Sequence, residues 1–361
     1  MSIPPGRLRA IRTLLLAWWD AGHRQLPWRF PQHGADPYRV WLAEVMLQQT
    51  QVAVVVPYYQ RFVRRFPTLQ ALAAAADDEV LAQWSGLGYY ARARRLASAA
   101  REAIARHGAL PRSPEALAAL PGFGRYTAGA VASIAFAIRA ACVDGNVARV
   151  LSRLFLLDGS GEDPRVRERL WTIAEALVPR ERPGDFNQAL MELGATVCAK
   201  AAPRCSACPL ARGCEAREAG RELDVPTARS RARPRRLIVA CAVVRRGESF
   251  LIARRPPRGL FGGLWELPSV EVAPGADPRS VLTGGLRDRL GLRLIPGEEL
   301  AAVDRVLTHR RLRLTGYTCR AHRTVRLPAG VRFATRDQLR TLGLATAMRA
   351  LIDALPCGDG A

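Results

Sequence analysis

The spacing of apolar residues changes once along this 361-residue chain, and the change predicts two folding units. From residue 7 to about 215, alanine-rich amphipathic runs alternate with short Gly/Pro turns, as in SPEALAALPGFGRYTAGAV, a pattern typical of packed helices. After the polar, basic stretch DVPTARSRARPRR, the continuous apolar runs Leu237–Val244 and Ser249–Ala253 indicate buried strands. We therefore predict an all-α domain at 1–224, a linker at 225–236 and an α+β domain at 237–355.

Positive charge dominates the composition and indicates a polyanionic partner. Lysine and arginine together number 54 against 32 acidic residues, a formal net charge of +22. Such an excess attracts nucleic acid, although codon bias in a GC-rich genome also produces arginine-rich chains. The sequence has no membrane-length apolar segment and its N-terminal apolar run lacks a cleavage site, so we expect no membrane partner and a cytoplasmic location.

Four of the eight cysteines lie within 17 residues, with the spacing C-x6-C-x2-C-x5-C. In a cytosolic chain this density suggests a metal centre rather than disulfides. A [4Fe–4S] cluster and a structural zinc ion both use four thiolates, but typical zinc modules contain two C-x2-C pairs and only one occurs here. The candidate ligands in this loop, residues 198–214, are Cys198, Cys205, Cys208 and Cys214.

The LPGFG step at Leu120–Gly124 predicts a tight turn between two helices, in a hairpin around residues 120–126. Gly122 and Gly124 have no side chains, so backbone N–H groups and the start of the next helix can approach a phosphate. Contacts of this kind position a protein on DNA without reading its sequence.

Two carboxylic acids lie in local sequences that favour opposite protonation states. Glu44, in WLAEVMLQQTQV, lies among apolar residues of a helix that begins after Asp36-Pro37, and burial favours the protonated acid. Asp144, in VDGNVARVLSR, precedes a helix with Asn146 as the expected N-cap, and helix N–H dipoles favour its ionised form. The simpler alternatives are a solvated helix face for Glu44 and an Asp-Gly turn for Asp144.

An acid and a carboxylate together suit hydrolysis of an N-glycosidic bond. The acid protonates the departing base, and the carboxylate stabilises or attacks the oxocarbenium-like sugar. A sugar inside a duplex is reached only after its nucleotide is flipped out. Gln48, Gln49 and Tyr89 are candidates to fill the gap that the base leaves.

Five motifs in this order resemble the MutY-type adenine DNA glycosylases of the endonuclease III, or helix-hairpin-helix, superfamily. They are WLAEVMLQQTQV, GLGYYARARRL, LPGFGRYTAGAV, VDGNVARVLSR and the cysteine spacing, and they cover about the first 215 residues. The resemblance implies hydrolysis of the bond to adenine mispaired with 8-oxoguanine or G in double-stranded DNA. It also implies a [4Fe–4S] cluster on the four cysteines.

The same resemblance implies roles for individual residues. Glu44 protonates adenine at N7 and helps to activate water, while Asp144 stabilises the oxocarbenium ion or attacks it covalently. Asn146 and Tyr126 support Asp144. The adenine pocket and the wedge beside the opposing base involve six more residues: Arg24, Leu26, Trp28 and Gln188 in the pocket, Gln49 and Tyr89 in the wedge.

The single lysine, Lys200, favours hydrolysis without strand cleavage. A glycosylase that also cleaves the strand forms a Schiff base through an amine. Related lyases carry that lysine after the hairpin, where this chain has Tyr126, and Lys200 lies between two cluster cysteines instead. We therefore expect a monofunctional enzyme.

The stretch PPRGLFGGLWELP resembles the MutT-like (Nudix) domain that ends MutY proteins. Active Nudix hydrolases carry an acidic Mg²⁺-binding helix, but residues 284–291 read GGLRDRLG and lack the paired acids. We therefore expect this domain to clamp DNA and inspect the base opposite adenine. The family recognises 8-oxoguanine through a Phe-Ser-His step, matched here by Leu307-Thr308-His309, in which Thr308 keeps the hydroxyl and Leu307 lacks the aromatic face.

Two other functions stay open from the sequence. An endonuclease III-type lyase for oxidised pyrimidines shares the hairpin and the cysteines, but Tyr126 and the Nudix-like tail disfavour it. A non-catalytic DNA-binding or iron–sulfur sensor protein needs no acid pair, and the presence of Glu44 and Asp144 argues against it. For the favoured glycosylase we expect a monomer associated with the nucleoid.

Overall fold

The computed structural model describes residues 3–29, 35–161, 163–227, 234–307, 310–321 and 327–356. They form two compact units, one drawn from residues 1–74 and 98–230 and the other from residues 75–97 and 231–361. Residues 75–97 therefore pack with the C-terminal part of the chain, although their sequence pattern groups them with the helical part. The domain boundaries at 1–224, 225–236 and 237–355 stay a prediction.

The first unit is built from helices, as the apolar spacing predicts. Asp36 and Asp163 each accept a hydrogen bond from a first-turn backbone N–H, and a proline follows each of them at the first helical position. The helices are α1 (Pro5–Ala21), α2 (Pro37–Leu47), α3 (Val52–Arg65), α4 (Leu69–Ala74), α6 (Ala91–His107, which begins in the second unit), α7 (Pro114–Ala118), α8 (Arg125–Phe136), α9 (Gly145–Leu154), α10 (Pro164–Leu177), α11 (Pro183–Thr196) and α12 (Glu215–Glu218).

Helix α9 lies in an apolar core of this unit. Its side chains Val147, Val150, Leu151 and Leu154 are buried against residues of α1, α10 and α11. Burial of each such side chain contributes about 1.5–3 kcal/mol. This packing fixes the position of α9 and therefore of the residue that precedes it, Asp144.

Two glycines allow neighbouring helices to approach the segment that carries Asp144. A Cβ on Gly129 of α8 would lie 1.9 Å from the Ala141 carbonyl oxygen. A Cβ on Gly194 of α11 would lie 2.7 Å from Asn146 Cβ and 2.9 Å from the Asn146 carbonyl oxygen. Any larger residue at either position has to displace the chain around residues 141–146.

The predicted hairpin joins α7 to α8. Its turn is closed by the Phe123 N–H, which donates to the Leu120 carbonyl at 3.2 Å, and Gly122 adopts a left-handed conformation at φ +80°. Gly124 precedes α8, and within the described residues no side chain caps the helix there. Because Gly124 has no side chain, the N-cap residue itself leaves the first-turn N–H groups of α8 uncovered.

The second unit combines two sheets with helices, which confirms the predicted α+β class. Its helices are α5 (Asp77–Trp84), the start of α6, α13 (Pro278–Leu290), α14 (Arg336–Arg340) and α15 (Thr346–Ala354). Its strands are β1 (Arg235–Val243), β2 (Arg245–Arg246), β3 (Ser249–Arg254), β4 (Trp265–Glu266), β5 (Ser269–Val272), β6 (Leu294–Leu307), β7 (Arg310–Ala321) and β8 (Val331–Thr335).

The first sheet has the strand order β5-β1-β7-β6, with β1 and β7 parallel and the other pairs antiparallel. In the second sheet β3 pairs antiparallel with β2, β4 and β8. Leu282 and Leu286 of α13 are fully buried in the core that this helix shares with the first sheet. The apolar runs that predicted strands correspond to β1 and β3.

In the described ranges, the helices all fall short of the length and apolar character that crossing a bilayer requires.

Candidate active site

A cavity of about 720 Å³ in the first unit brings together most of the predicted site residues. It is bounded by the chain after α1, the α2–α3 connection, the starts of α8 and α9, and α11. The predicted residues that line it are Arg24, Leu26, Trp28, Glu44, Gln48, Gln49, Tyr126, Asp144, Asn146 and Gln188. Tyr89 belongs to the second unit, and Thr308 and His309 lie outside the described residues.

Glu44 is buried on α2, with only 6% of its surface exposed. Burial raises the pKa of its carboxyl to about 7, against a hydrogen bond from Tyr126 and the charge of Arg29, which lower it. The nearby charge of Asp144 raises it further. A substantial fraction of Glu44 is therefore protonated at neutral pH, in agreement with the apolar sequence around it.

Tyr126 contacts Glu44, whereas the resemblance placed it beside Asp144. It lies in the first turn of α8, and its hydroxyl donates a hydrogen bond to Glu44 Oε2. The Sδ atom of Met191 lies 3.3 Å from the same hydroxyl. The hairpin helix thus supports the acid of the pair rather than the carboxylate.

Asp144 is itself the N-cap of α9, so the expectation that Asn146 would be the cap is wrong. Asp144 Oδ1 accepts from the Val147 N–H at 2.7 Å, and Oδ2 accepts from the Asn146 side-chain amide at 3.0 Å. Asn146 lies inside the first turn, where its amide can reach back to the cap.

The pKa of Asp144 is also the reverse of what its local sequence predicts. Burial raises the pKa of this carboxyl, and the hydrogen bonds from Val147 and Asn146 only partly oppose that effect. The helix N-terminus favours the ionised form as expected, but the removal of water outweighs it. Both carboxyls of the site are therefore held in surroundings that disfavour their charge.

An ion-pair cluster at one wall of the cavity was not predicted from the sequence. Glu192 on α11, which is 2% exposed, accepts from Arg24 at 2.6 and 2.8 Å and from Arg29 at 2.9 Å. Burial works to raise the pKa of Glu192, but the two arginines outweigh it and lower it. The sequence could have indicated Glu192 as a pocket residue, because it lies one helical turn after Gln188, which the resemblance assigns to the adenine pocket.

Arg149 is a second functional candidate that sequence reasoning missed. One of its nitrogens, Nη2, donates to Asn146 Oδ1 at 2.8 Å and to the Gly194 carbonyl at 2.7 Å. Its Nε donates to the Cys198 carbonyl at 2.9 Å. Arg149 therefore ties the residue that supports Asp144 to the start of the cysteine loop.

The four clustered cysteines line one small cavity of about 30 Å³, and all four are free thiols. The buried Arg153 donates to Cys198 Sγ at 3.3 Å and to the Ala199 carbonyl at 2.8 Å. Across the described ranges, no three His, Cys, Asp or Glu side chains are arranged as ligands of a single metal ion. Four sulfur donors around one cavity are a donor set for soft metals and iron–sulfur clusters.

The two predicted wedge residues share an unusual backbone conformation. Gln49 has φ +58° and Tyr89 has φ +49°, in the left-handed region that side chains other than glycine rarely adopt. Residues in such conformations concentrate at functional sites, where the surrounding structure holds them. Both side chains are exposed.

Known families match both parts of the chain. Residues 42–176 match the family described as HhH-GPD superfamily base excision DNA repair protein, and residues 239–354 match the NUDIX domain. The human adenine DNA glycosylase is 37% identical over 94% of this chain and 73% of that protein, and the rat adenine DNA glycosylase is 38% identical over 94% and 77%. The chain belongs to the adenine DNA glycosylase family.

Solved structures agree with this family in fold. A thermostable thymine-DNA glycosylase is 30% identical, covers 59% of this chain and 98% of that one, and superposes with a TM-score of 0.52. Endonuclease III, at 24% identity and a TM-score of 0.51, shares the fold of the same part. The predicted helix-hairpin-helix glycosylase with a Nudix-like C-terminal domain is thus confirmed, as is its assignment as an enzyme.

Replacing Glu44 by glutamine should stabilise the protein at neutral and alkaline pH. Because the pKa of Glu44 is about 7 in the folded state and ordinarily 4.5, the folded state binds more protons between these values and stability falls as pH rises. The difference between the two pKa values corresponds to roughly 3 kcal/mol in the free energy of unfolding. We expect Glu44→Gln to unfold at higher temperature than wild type above pH 7 and at a similar temperature near pH 4.5.

Calorimetric unfolding over this pH range measures the effect. The exposed Glu218→Gln is the matched control and should follow wild type at every pH. Equal pH dependence of Glu44→Gln and wild type would mean that Glu44 titrates as an ordinary carboxyl.

Proposed function

We propose that this chain is a monofunctional adenine DNA glycosylase that hydrolyses the N-glycosidic bond of adenine mispaired with 8-oxoguanine or G in duplex DNA. The observation that carries the proposal is the meeting of Glu44 and Asp144 at one cavity, with the pKa of Glu44 raised to about 7. Membership of the adenine DNA glycosylase family supports the choice of base. The resemblance of the motifs supports the choice of mispair.

Glu44 acts as the general acid in this proposal. Adenine leaves poorly as an anion, so protonation at N7 by Glu44 turns it into a neutral leaving group. A positioned acid of this kind contributes roughly 10²–10⁴-fold to the rate when its pKa lies near the working pH. The Tyr126 hydroxyl holds the carboxyl in place, and it continues to donate a hydrogen bond to the carboxylate after the proton leaves.

Asp144 acts on the sugar. As the bond to adenine breaks, positive charge develops on the sugar, and an adjacent cation favours the ionised form of a carboxyl. Burial raises the pKa of Asp144 in the free protein, but the developing sugar cation lowers it again in the reacting complex. The Val147 N–H and the Asn146 amide each donate to one of its oxygens and so orient the carboxylate. Ionised Asp144 stabilises the oxocarbenium ion or attacks it, as carboxylates do in sugar hydrolases.

The remaining cavity residues bind the flipped base in this proposal. Leu26 and Trp28 supply apolar surface, Gln188 supplies amide hydrogen-bonding groups, and Arg24 forms the wall with Glu192. Because Glu192 pairs with Arg24 and Arg29, that wall presents polar groups without an unpaired buried charge.

A second group of residues manages the DNA around the flipped base. Gln48 and Gln49 lie beside the cavity, and Gln49 joins Tyr89 as the wedge beside the opposing base. Gly122 and Gly124 bring backbone N–H groups to a phosphate. We assign 8-oxoguanine recognition to Thr308 and His309.

The residue that follows the hairpin supports hydrolysis without strand cleavage. Tyr126 occupies the place after the hairpin where a lyase needs an amine. Lys200 and Asp144 both line a second cavity of about 520 Å³, while the Lys200 carbonyl accepts from Arg153 at 3.1 Å. We therefore assign Lys200 to the wall of that cavity and to the cysteine loop, residues 198–214.

The four cysteines, Cys198, Cys205, Cys208 and Cys214, would hold a [4Fe–4S] cluster. Each iron of such a cluster takes one thiolate, so the four sulfurs surround the group without converging on one atom. The cluster supplies structural cross-linking of the loop, and the loop's Lys200, Arg204 and Arg212 would face DNA phosphates. We propose that the protein works as a monomer associated with the nucleoid.

An end-labelled duplex containing A opposite 8-oxoguanine tests the proposed activity. Wild-type protein should give strand breaks only after alkali, and Glu44→Gln and Asp144→Asn should bind the duplex but lose at least about 10²-fold in single-turnover rate. Glu181→Gln, at an exposed glutamate outside the cavity, is the control and should act as wild type. Breaks without alkali would indicate a lyase, and binding without any breaks would indicate a non-catalytic DNA-binding protein.

The absorption spectrum of the purified holoprotein tests the proposed cluster. We expect the broad visible charge-transfer band of an iron–sulfur cluster, its loss in Cys208→Ser, and its retention in Cys241→Ala, which removes a buried thiol of the second unit. A colourless protein that contains zinc in a one-to-one ratio would contradict the assignment.

A further inference from the structure

The turn between α5 and α6, Ser85–Tyr90, is held in an uncommon backbone conformation. Gly86, Gly88 and Tyr89 all have positive φ, at +102°, +77° and +49°. Glycine adopts such values readily, but a bulky aromatic residue does so only where its surroundings impose it. The conformation of Tyr89 therefore needs an explanation from its neighbours.

Two hydroxyl groups of this turn meet at one backbone carbonyl from the C-terminal part of the same unit. Ser85 Oγ donates to the Leu344 carbonyl oxygen at 2.6 Å, and the Tyr90 hydroxyl donates to the same oxygen at 3.4 Å. The Tyr90 hydroxyl also accepts from the Gly86 N–H at 3.2 Å. Tyr90 thus connects the interior of the turn to residue 344.

The accepting carbonyl lies on a segment that is itself fixed. Leu344 is fully buried and forms a parallel β-bridge with Trp265, whose backbone N–H donates to the Gly343 carbonyl at 2.9 Å. A Cβ on Gly343 would lie 2.7 Å from Leu81 Cβ, so helix α5 packs directly on this backbone. Trp265 Nε1 also donates to Asp78 of α5 at 3.3 Å.

Inside the turn, aromatic and cationic side chains complete the support. Trp84 Nε1 donates to the Gly88 carbonyl at 3.0 Å. The guanidinium of Arg92, which is 8% exposed, lies 5.4 Å from the ring centres of both Trp84 and Tyr89. Tyr89 itself is 40% exposed, so its ring is presented to solvent from a supported base.

We propose that Ser85 and Tyr90 are positioning residues through which the C-terminal segment 343–344 holds Tyr89 ready for insertion beside the opposing base. The inference rests on the proposed function, in which Tyr89 is part of the wedge. The two hydroxyls cross-link the turn to residue 344, and without them the turn can relax from its left-handed conformation. The unit assigned to base inspection thereby also holds Tyr89, one of the two wedge residues.

The double variant Ser85→Ala/Tyr90→Phe removes both hydroxyls and keeps the tyrosine ring. We expect it to lower the single-turnover rate on an A:8-oxoguanine duplex about tenfold while the protein stays folded at the assay temperature, with only a small fall in unfolding temperature from the lost hydrogen bonds. Tyr89→Ala should lower the rate at least as much. The triple variant should be no slower than Tyr89→Ala alone, because the hydroxyls act through that side chain.

Fluorescence of 2-aminopurine beside the target adenine gives a second readout, since it reports base extrusion independently of bond cleavage. The extrusion signal should fall in the double variant and in Tyr89→Ala. Ser98→Ala changes an exposed serine of helix α6, which follows the turn; it is the matched control and should retain both rate and signal.

Wild-type rate and signal in the double variant, or a triple variant whose losses multiply, would overturn the positioning role. Full activity of Tyr89→Ala would overturn it together with the wedge, while adenine excision would still stand. A wild-type protein that excises no adenine would refute the proposed function, and the 2-aminopurine signal would still decide the positioning role.

Discussion

The burial of Glu44 is the constraint on which the rest of the site depends. A buried carboxyl destabilises the folded state when it is charged. A pKa raised from 4.5 to about 7 means that charged Glu44 lowers the free energy of unfolding by roughly 3 kcal/mol. The fold limits the compensation to a hydrogen bond from Tyr126 and the charge of Arg29. Glu192 matters here because it pairs with Arg29 and with Arg24, which leaves the protonated form of Glu44 accessible near neutrality.

Helix α9 connects the other parts of the catalytic unit. Its N-cap is Asp144, its first turn carries Asn146, and its later turns carry Arg149 and Arg153, which bond to the cysteine loop. The opposite face of the helix is buried in the apolar core. Gly194 allows α11 to lie against the first turn. A single ten-residue helix therefore places the carboxylate that we propose acts on the sugar, and it contacts the loop that would hold the cluster.

The sequence predicted those features that depend on local pattern. Apolar spacing gave the helical and α+β parts, and the apolar neighbours of Glu44 correctly indicated its raised pKa. Asp144 shows the limit, because its helix N-terminus was visible in the sequence but the depth of its burial, which raises its pKa, was not. The predicted N-cap was Asn146 and the observed one is Asp144. Both residue types cap helices well, so only the backbone conformation decides which of them is the cap.

Features that depend on tertiary contacts were not accessible from local pattern. Tyr126 bonds to Glu44, 82 residues away, and Glu192 meets Arg24 from 168 residues away. The packing of residues 75–97 with the C-terminal part of the chain also has no local signal. In each case the partner is chosen by how helices and sheets pack, which single-sequence periodicity does not specify.

The most direct test of the account is the titration of Glu44 itself. Difference infrared spectroscopy of wild type against Glu44→Gln isolates the stretching band of this one protonated carboxyl. We expect the band to disappear with a midpoint near pH 7, shifted upward from the ordinary value of 4.5. A midpoint near 4.5 would contradict it, because Glu44 would then be ionised at neutral pH and unable to serve as the acid.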